Sequence, residues 1–186
     1  MTLEKDLKEA ILAMPQKEKD KILLKLVAKN EILVNQLEFE LLEFGETIDL
    51  RKNKIIVQID RVYKMTHLSP GWLMMDMRSL NSLITEHVKI TKDKYGEVEL
   101  TLYLLTELFR NQEEHVQKNK RDKAFTLGEY VAKRTDFVLK KVAKLHPDIQ
   151  FDFYKDLNFL LESINISVVL SHAMELGLPK AFVIKD

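Results

Sequence analysis

The chain has no cysteine, and only five glycines and four prolines in 186 residues. Without cysteine there can be no disulfide, no thiolate nucleophile and no thiolate-ligated zinc or iron–sulfur centre. So few glycines and prolines supply little turn material for a strand-rich fold, which favours helices. There is no Gly-x-x-x-x-Gly-Lys-Ser/Thr loop, no Gly-x-Gly-x-x-Gly and no Gly-x-Ser-x-Gly, hence no backbone cradle for phosphate and no nucleophile elbow. The five histidines are preceded three positions earlier by Lys64, Ile84, Gln112, Ala143 and Val169. The Glu-x-x-His pair of di-metal bundles is therefore absent, and no two histidines are four apart as in a zinc-protease helix. No catalytic residue, resident metal or cofactor is expected. No apolar run approaches membrane-spanning length, and the opening MTLEKDLKEA lacks an apolar signal core, so the cytoplasm is the expected compartment.

What is present is a hydrophobic content of 46% with 31% charged residues. That composition predicts one folded domain over residues 1–186 with a proper core.

The stretch 69–112 organises the rest. Ser69-Pro70 is a helix start, serine capping and proline at the first helical position. From there Leu73, Met77, Leu80, Ile84 and Val88 recur at helical steps, and after a turn at Thr91-Lys92-Asp93 so do Tyr95, Val98, Leu102, Leu105 and Phe109. Leu100, Leu104 and Leu108 make a second apolar line, and a helix apolar on two faces must be covered on two faces. The spacing predicts two antiparallel helices, from Trp72 through Phe109, as a buried central pair. An alternative is a β-hairpin over 88–102, where Val88, Ile90, Val98, Leu100 and Leu102 also alternate, and another over 47–59. The helical reading is preferred because its period runs unbroken into the Leu104–Phe109 segment.

Around the pair, helices are expected over 2–14, broken by Met14-Pro15, and over 16–29 and 31–44, stopped at Gly45. Others are expected over 47–64, from a capping box at Thr126-Leu127-Gly128-Glu129 to Leu145, over 148–164 and over 166–176. The fold class is all-α, with seven or eight helices in antiparallel αα-hairpins, as an α-α superhelix or an irregular bundle.

Residues 13–42, AMPQKEKDKILLKLVAKNEILVNQLEFELL, combine a proline-started helix, Leu-Leu-x-x-Leu spacing, a short polar joint and a second amphipathic helix. This segment resembles one repeat of the HEAT-like α-helical proteins. The resemblance implies stacked helix pairs and a scaffold or binding surface.

The net charge is zero but unevenly spread. Residues 31–50 hold six acids and no Lys or Arg, whereas 117–144 hold nine basic residues against Asp122, Glu129 and Asp136. The acids Glu40, Glu43, Glu46 and Asp49 form a ladder that resembles the Glu-x-x-Glu and Glu-x-x-Asp pairs of the all-α nucleoside-triphosphate pyrophosphatases. That resemblance implies a Mg²⁺ site and a nucleotide hydrolase; a solvated acidic face is the other reading. The basic set is Lys118, Lys120, Arg121, Lys123, Lys133, Arg134, Lys140, Lys141 and Lys144. It suits a protein partner, nucleic acid, the acidic segment of the same chain, or a second copy in a homodimer. A plainly solvated face is the other reading; among partners a protein is preferred and nucleic acid is the lesser one. The chain is therefore expected to be a non-enzymatic interaction or scaffold module that docks a partner through a charged helical surface.

Overall fold

The computed structural model describes residues 3–117 and 123–184. Among them it contains nine α-helices: α1 (Lys5–Ala13), α2 (Gln16–Val27), α3 (Glu31–Leu41), α4 (Ile48–Tyr63), α5 (Pro70–Thr91), α6 (Lys94–Asn111), α7 (Lys123–Val142), α8 (Pro147–Asn165) and α9 (Leu170–Glu175). A 3₁₀ turn, Glu113–His115, follows α6. The fold is all-α, and the segments 47–59 and 88–102 are helical rather than hairpins. Nine helices stand against the expected seven or eight, one in each of the segments anticipated as helical, the first and last included.

The central pair forms by the predicted local chemistry. Ser69 accepts from the Trp72 amide at 3.4 Å, and Pro70 occupies the first turn of α5. That helix ends at Lys92, left-handed at φ 59°, and Asp93 then caps α6 by accepting from the Gly96 amide at 2.8 Å. Val98, Leu100, Leu102, Leu104, Leu105 and Leu108 of α6 are all buried, so apolar side chains cover more than half of its circumference, with Glu99, Glu107 and Arg110 on the remaining side. It can be covered that fully because α4, α5, α7 and α8 all pack around it. Two polar groups from α4 and α6 close the far end. The Tyr63 hydroxyl donates to the Leu104 carbonyl, and Gln112 Nε2 donates to the Tyr63 carbonyl, both at 2.8 Å.

Three local expectations are corrected. Trp72 is 60% exposed, because Leu73 and Met77 take the buried stripe of the first turns of α5. The Thr126 capping box does not start α7; the helix begins at Lys123 because Ala124 and Leu127, both wholly buried, extend the Val131–Val138 face back by one turn. Finally, α3 stops at Leu41 rather than residue 44. Phe44 and Gly45 are both left-handed, φ 49° and 77°, and the Gly45 amide turns back to the Phe39 carbonyl at 3.1 Å.

The apolar core is continuous from Ile55 to Phe182. By contrast, α1 and α2 bury no residue at all. They precede α3, which packs on α5, and they lie outside that core.

Candidate docking surface

Helix α7 carries most of the basic residues singled out from the sequence. Lys118, Lys120 and Arg121 lie outside the described residues, as does the Lys123 side chain. Lys133 pairs with Glu129 and Lys140 with Asp136, each one turn away on α7, at 2.5 and 2.6 Å. Lys133 holds the Glu129 carboxyl below the usual carboxylate range. Lys141 reaches across to Glu97 of α6 at 2.7 Å. Arg134 is half-buried and lies over the Phe137 ring at 4.3 Å. Burial pushes its guanidinium below the usual arginine value. Lys144 is exposed. The four residues 133, 134, 140 and 141 are thus on one helix but not equivalent: two stand in solvent beside their own acids, and two belong to the packing of α7.

The C-terminal half of α7 also forms one side of a groove of about 800 Å³. Leu139, Ala143 and Leu145 line it from α7 and the residues after it, and Pro147 and Gln150 from α8. The far wall is the extended tail, with Leu178, Pro179, Ala181, Phe182 and Val183. The tail is held by an amide-to-backbone clasp. Asn158 Oδ1 accepts from the Phe182 amide at 2.9 Å, and Asn158 Nδ2 faces the Phe182 carbonyl at 3.4 Å. The groove is therefore apolar on its floor and walls, with the Asp136–Lys140 pair on its rim. Sequence reasoning placed the charges of α7 but missed the groove. Its far wall is a short apolar tail held by Asn158 of α8, by the Leu178 amide donating to the Ala173 carbonyl and by Phe182 in the core.

The acidic ladder has a different fate. Arg51 grips Glu43 with two bonds, Nε to Oε2 at 3.0 Å and a terminal nitrogen to Oε1 at 2.8 Å, and Thr47 donates to the same carboxylate. Arg51, with Thr47, holds the Glu43 carboxyl below its usual range. Asp49 pairs with Lys52, which in turn binds Glu99 of α6 at 2.8 Å. Glu40 accepts from Gln36, and Glu46 is exposed on the turn before α4. Among the described residues no three His, Asp or Glu side chains converge as a metal site. Of the four acids Glu43 ties the α3–α4 turn, through Thr47 and Arg51, and Gly45 reverses the chain between the two pairs.

A second surface is uncovered. On α1 and the residues before it Leu3, Leu7, Ile11 and Leu12, and on α2 Ile22, Leu23, Leu24 and Leu26, are each 39% to 68% exposed. Close to them in sequence, Leu41, Leu42 and Phe44 at the end of α3 are 62%, 73% and 78% exposed. The apolar periodicity of these helices is plain in the sequence. That no other described element covers it is visible only in the fold.

No protein-family model matches the chain, and neither a curated protein nor a solved structure matches it. Among the described residues no helix is long and apolar enough to cross a membrane.

Proposed function

We propose that the chain is a non-enzymatic interaction module of HEAT-like helical character that docks a partner protein through the charged face of α7 and the groove beside it. The observation that carries this reading is the groove itself: an apolar trough of about 800 Å³ with a charged rim. Recognition sites of this kind combine apolar lining with a few placed polar groups. The occupant that fits is a short apolar segment of a partner, flanked by an acidic residue to meet Lys140 and Lys144.

The test is to fill the trough without touching the core. Ala143 is exposed and lines the groove, so Ala143→Trp occupies the space with little effect on folding. Affinity capture with the unaltered chain, Ala143→Trp and Lys140→Glu/Lys144→Glu should show the same protein bound only to the first. Recovery of an identical set of proteins by all three, in equal yield, defeats the reading.

A further inference from the structure

We propose that the α1–α2 arm is a self-association device, and that its partner is a second copy of this chain. The arm of each copy lies on the Leu41–Leu42–Phe44 patch of the other. Four observations lead there.

The first is the lack of an end. A helix is apolar around much of its circumference only when it is covered there, yet Leu23, Leu24 and Leu26 give α2 a broad apolar surface with no buried residue. Stacked helix pairs normally finish in a repeat with a polar outer face. Among the described residues α1 and α2 present an apolar outer surface instead. A two-fold contact closes such an open end with one partner and leaves nothing further to add.

The second is charge. Residues 16–29 hold five lysines against Glu18 and Asp20, whereas residues 31–50 hold six acids and no lysine or arginine. Glu38, Glu40 and Glu46 are exposed and flank the apolar patch in sequence. A basic α2 and an acidic-rimmed patch on the same chain are complementary when exchanged between copies or folded together; here α2 touches α3, yet neither α1 nor α2 buries a residue against it. The basic residues of α7 do not compete for those acids, since the ion pairs of Lys133, Lys140 and Lys141 are made on α7 and α6.

The third is Phe44. It is 78% exposed and sits at a φ of 49°, a conformation bulky residues rarely adopt. An aromatic ring held in solvent at a strained position contributes nothing to the isolated fold, and it becomes useful when a second surface covers it.

The fourth is size. At roughly 60–100 Å² of apolar surface per side chain, the three-residue patch covers about 200–300 Å² of an arm; exchanged both ways that is on the order of 400–600 Å² per copy, the small end of specific interfaces. A lipid surface fits less well. Helices that lie on membranes carry a basic polar face opposite a bulky apolar one; α2 has both, but α1 balances Lys5 and Lys8 with Asp6 and Glu9, and an anionic lipid surface repels the six acids of residues 31–50 beside the arm.

The test is sedimentation velocity with the full chain. At about 100 μM, well above a micromolar Kd, the protein should sediment at twice its 21.8 kDa mass. Leu7→Glu/Leu24→Glu on the arm and Phe44→Asn on the patch should each sediment as a monomer with unchanged helical circular dichroism. Asparagine keeps the left-handed turn while removing the ring. A charge exchange then identifies the pairing. Lys21→Glu/Lys25→Glu and Glu38→Lys/Glu40→Lys should each be monomeric alone and form a mixed dimer when combined, because each arm then meets a patch of opposite sign. An unaltered chain that stays monomeric at that concentration overturns the proposal. So does a dimer that both arm and patch variants retain, a charge-exchanged mixture that stays monomeric, or co-sedimentation of the arm with phosphatidylglycerol vesicles in place of dimerisation. None of these results bears on the α7 groove, whose test uses other residues.

Discussion

Lys141 Nζ lies 2.7 Å from Glu97 Oε2, tying the last turns of α7 to the first turn of α6, and the Glu97 side chain is only 13% exposed there. A lysine that reads from sequence as part of a docking stripe is thus a strut between two core helices. Its neighbour Lys140, 72% exposed and paired only to Asp136 one turn away, is free to serve at the surface.

The two lysines should therefore separate on charge reversal. Lys141→Glu sets a carboxylate against a mostly buried Glu97 and should cost about 1–3 kcal/mol, or roughly 3–9 °C in melting temperature for a chain of this size. Lys140→Glu loses an exposed i,i+4 pair, worth about 0.5 kcal/mol at most. Scanning fluorimetry checks this, and equal shifts for both variants would contradict the strut.

Acid sensitivity should begin near neutrality because of His87. Burial holds this imidazole below its usual value, against the opposing pull of Asp93 at 3.4 Å, while Arg51 and Lys52 push the same way as burial. With its folded pKa depressed, the stability it confers is full above about pH 6.5, the unfolded value, and is lost as pH falls through the folded one. The slope in that window is at most about 1.4 kcal/mol per pH unit. Urea midpoints measured from pH 7.5 to 5 should fall for the unaltered chain and stay flatter in His87→Gln. Gly96→Ala tests the same contact from the other side. A Cβ there would collide with Asp93 Oδ2, so the Asp93 carboxylate must move away and the loss of stability should extend to lower pH. A second loss, from Glu43 and its Arg51 clasp, belongs below pH 4.5.

The turn between α3 and α4 offers a backbone test. Gly45 has φ 77°, and a methyl group added there would meet nothing closer than the Phe39 ring at 3.8 Å. Gly45→Ala should then be destabilised by conformation alone, by about 1–2 kcal/mol. A denaturation midpoint unchanged by that substitution would mean that the turn relaxes to another geometry.

The helices were legible because their cause is local. Ser69, Asn30 and Asp93 cap as their side chains dictate, accepting from Trp72, Leu33 and Gly96. The stripes from Leu73 to Ile84 and from Val98 to Leu108 are buried as their spacing requires. What was not legible is which stripe finds a neighbour. Leu7 and Leu24 carry the same pattern as Leu73 and Leu105, yet the first two are exposed and the last two wholly buried. Periodicity reports a face that wants cover, and tertiary position decides whether the chain supplies it. The start of α7 shows the same contest on a smaller scale: burying Ala124 and Leu127 outweighs the capping preference of Thr126. The partners of the charged residues were equally out of reach, since Lys141 and Glu97 are 44 positions apart.

The groove wall gives the last test, because its hydrogen-bonded clasp and its packing can be separated. Asn158 accepts from the Phe182 amide at 2.9 Å, and its amide nitrogen faces the Phe182 carbonyl at 3.4 Å and the Tyr154 carbonyl at 3.0 Å. Phe182 itself is 9% exposed and reaches the core. Asn158→Ala removes both contacts to the tail but leaves the ring in place, so about 1–2 kcal/mol should be lost locally with little change in global melting. Local openings of that kind are read by hydrogen exchange. The peptide spanning 178–184 should exchange roughly tenfold faster, one decade for each 1.4 kcal/mol, while α6 and α8 keep their protection. Phe182→Ala should instead lower the melting temperature, since it also empties a packed site at about 3 kcal/mol or more. If Asn158→Ala left the tail as protected as before, packing of Phe182 would be the sole anchor. A ligand in the groove would then meet a wall that moves only when the core does.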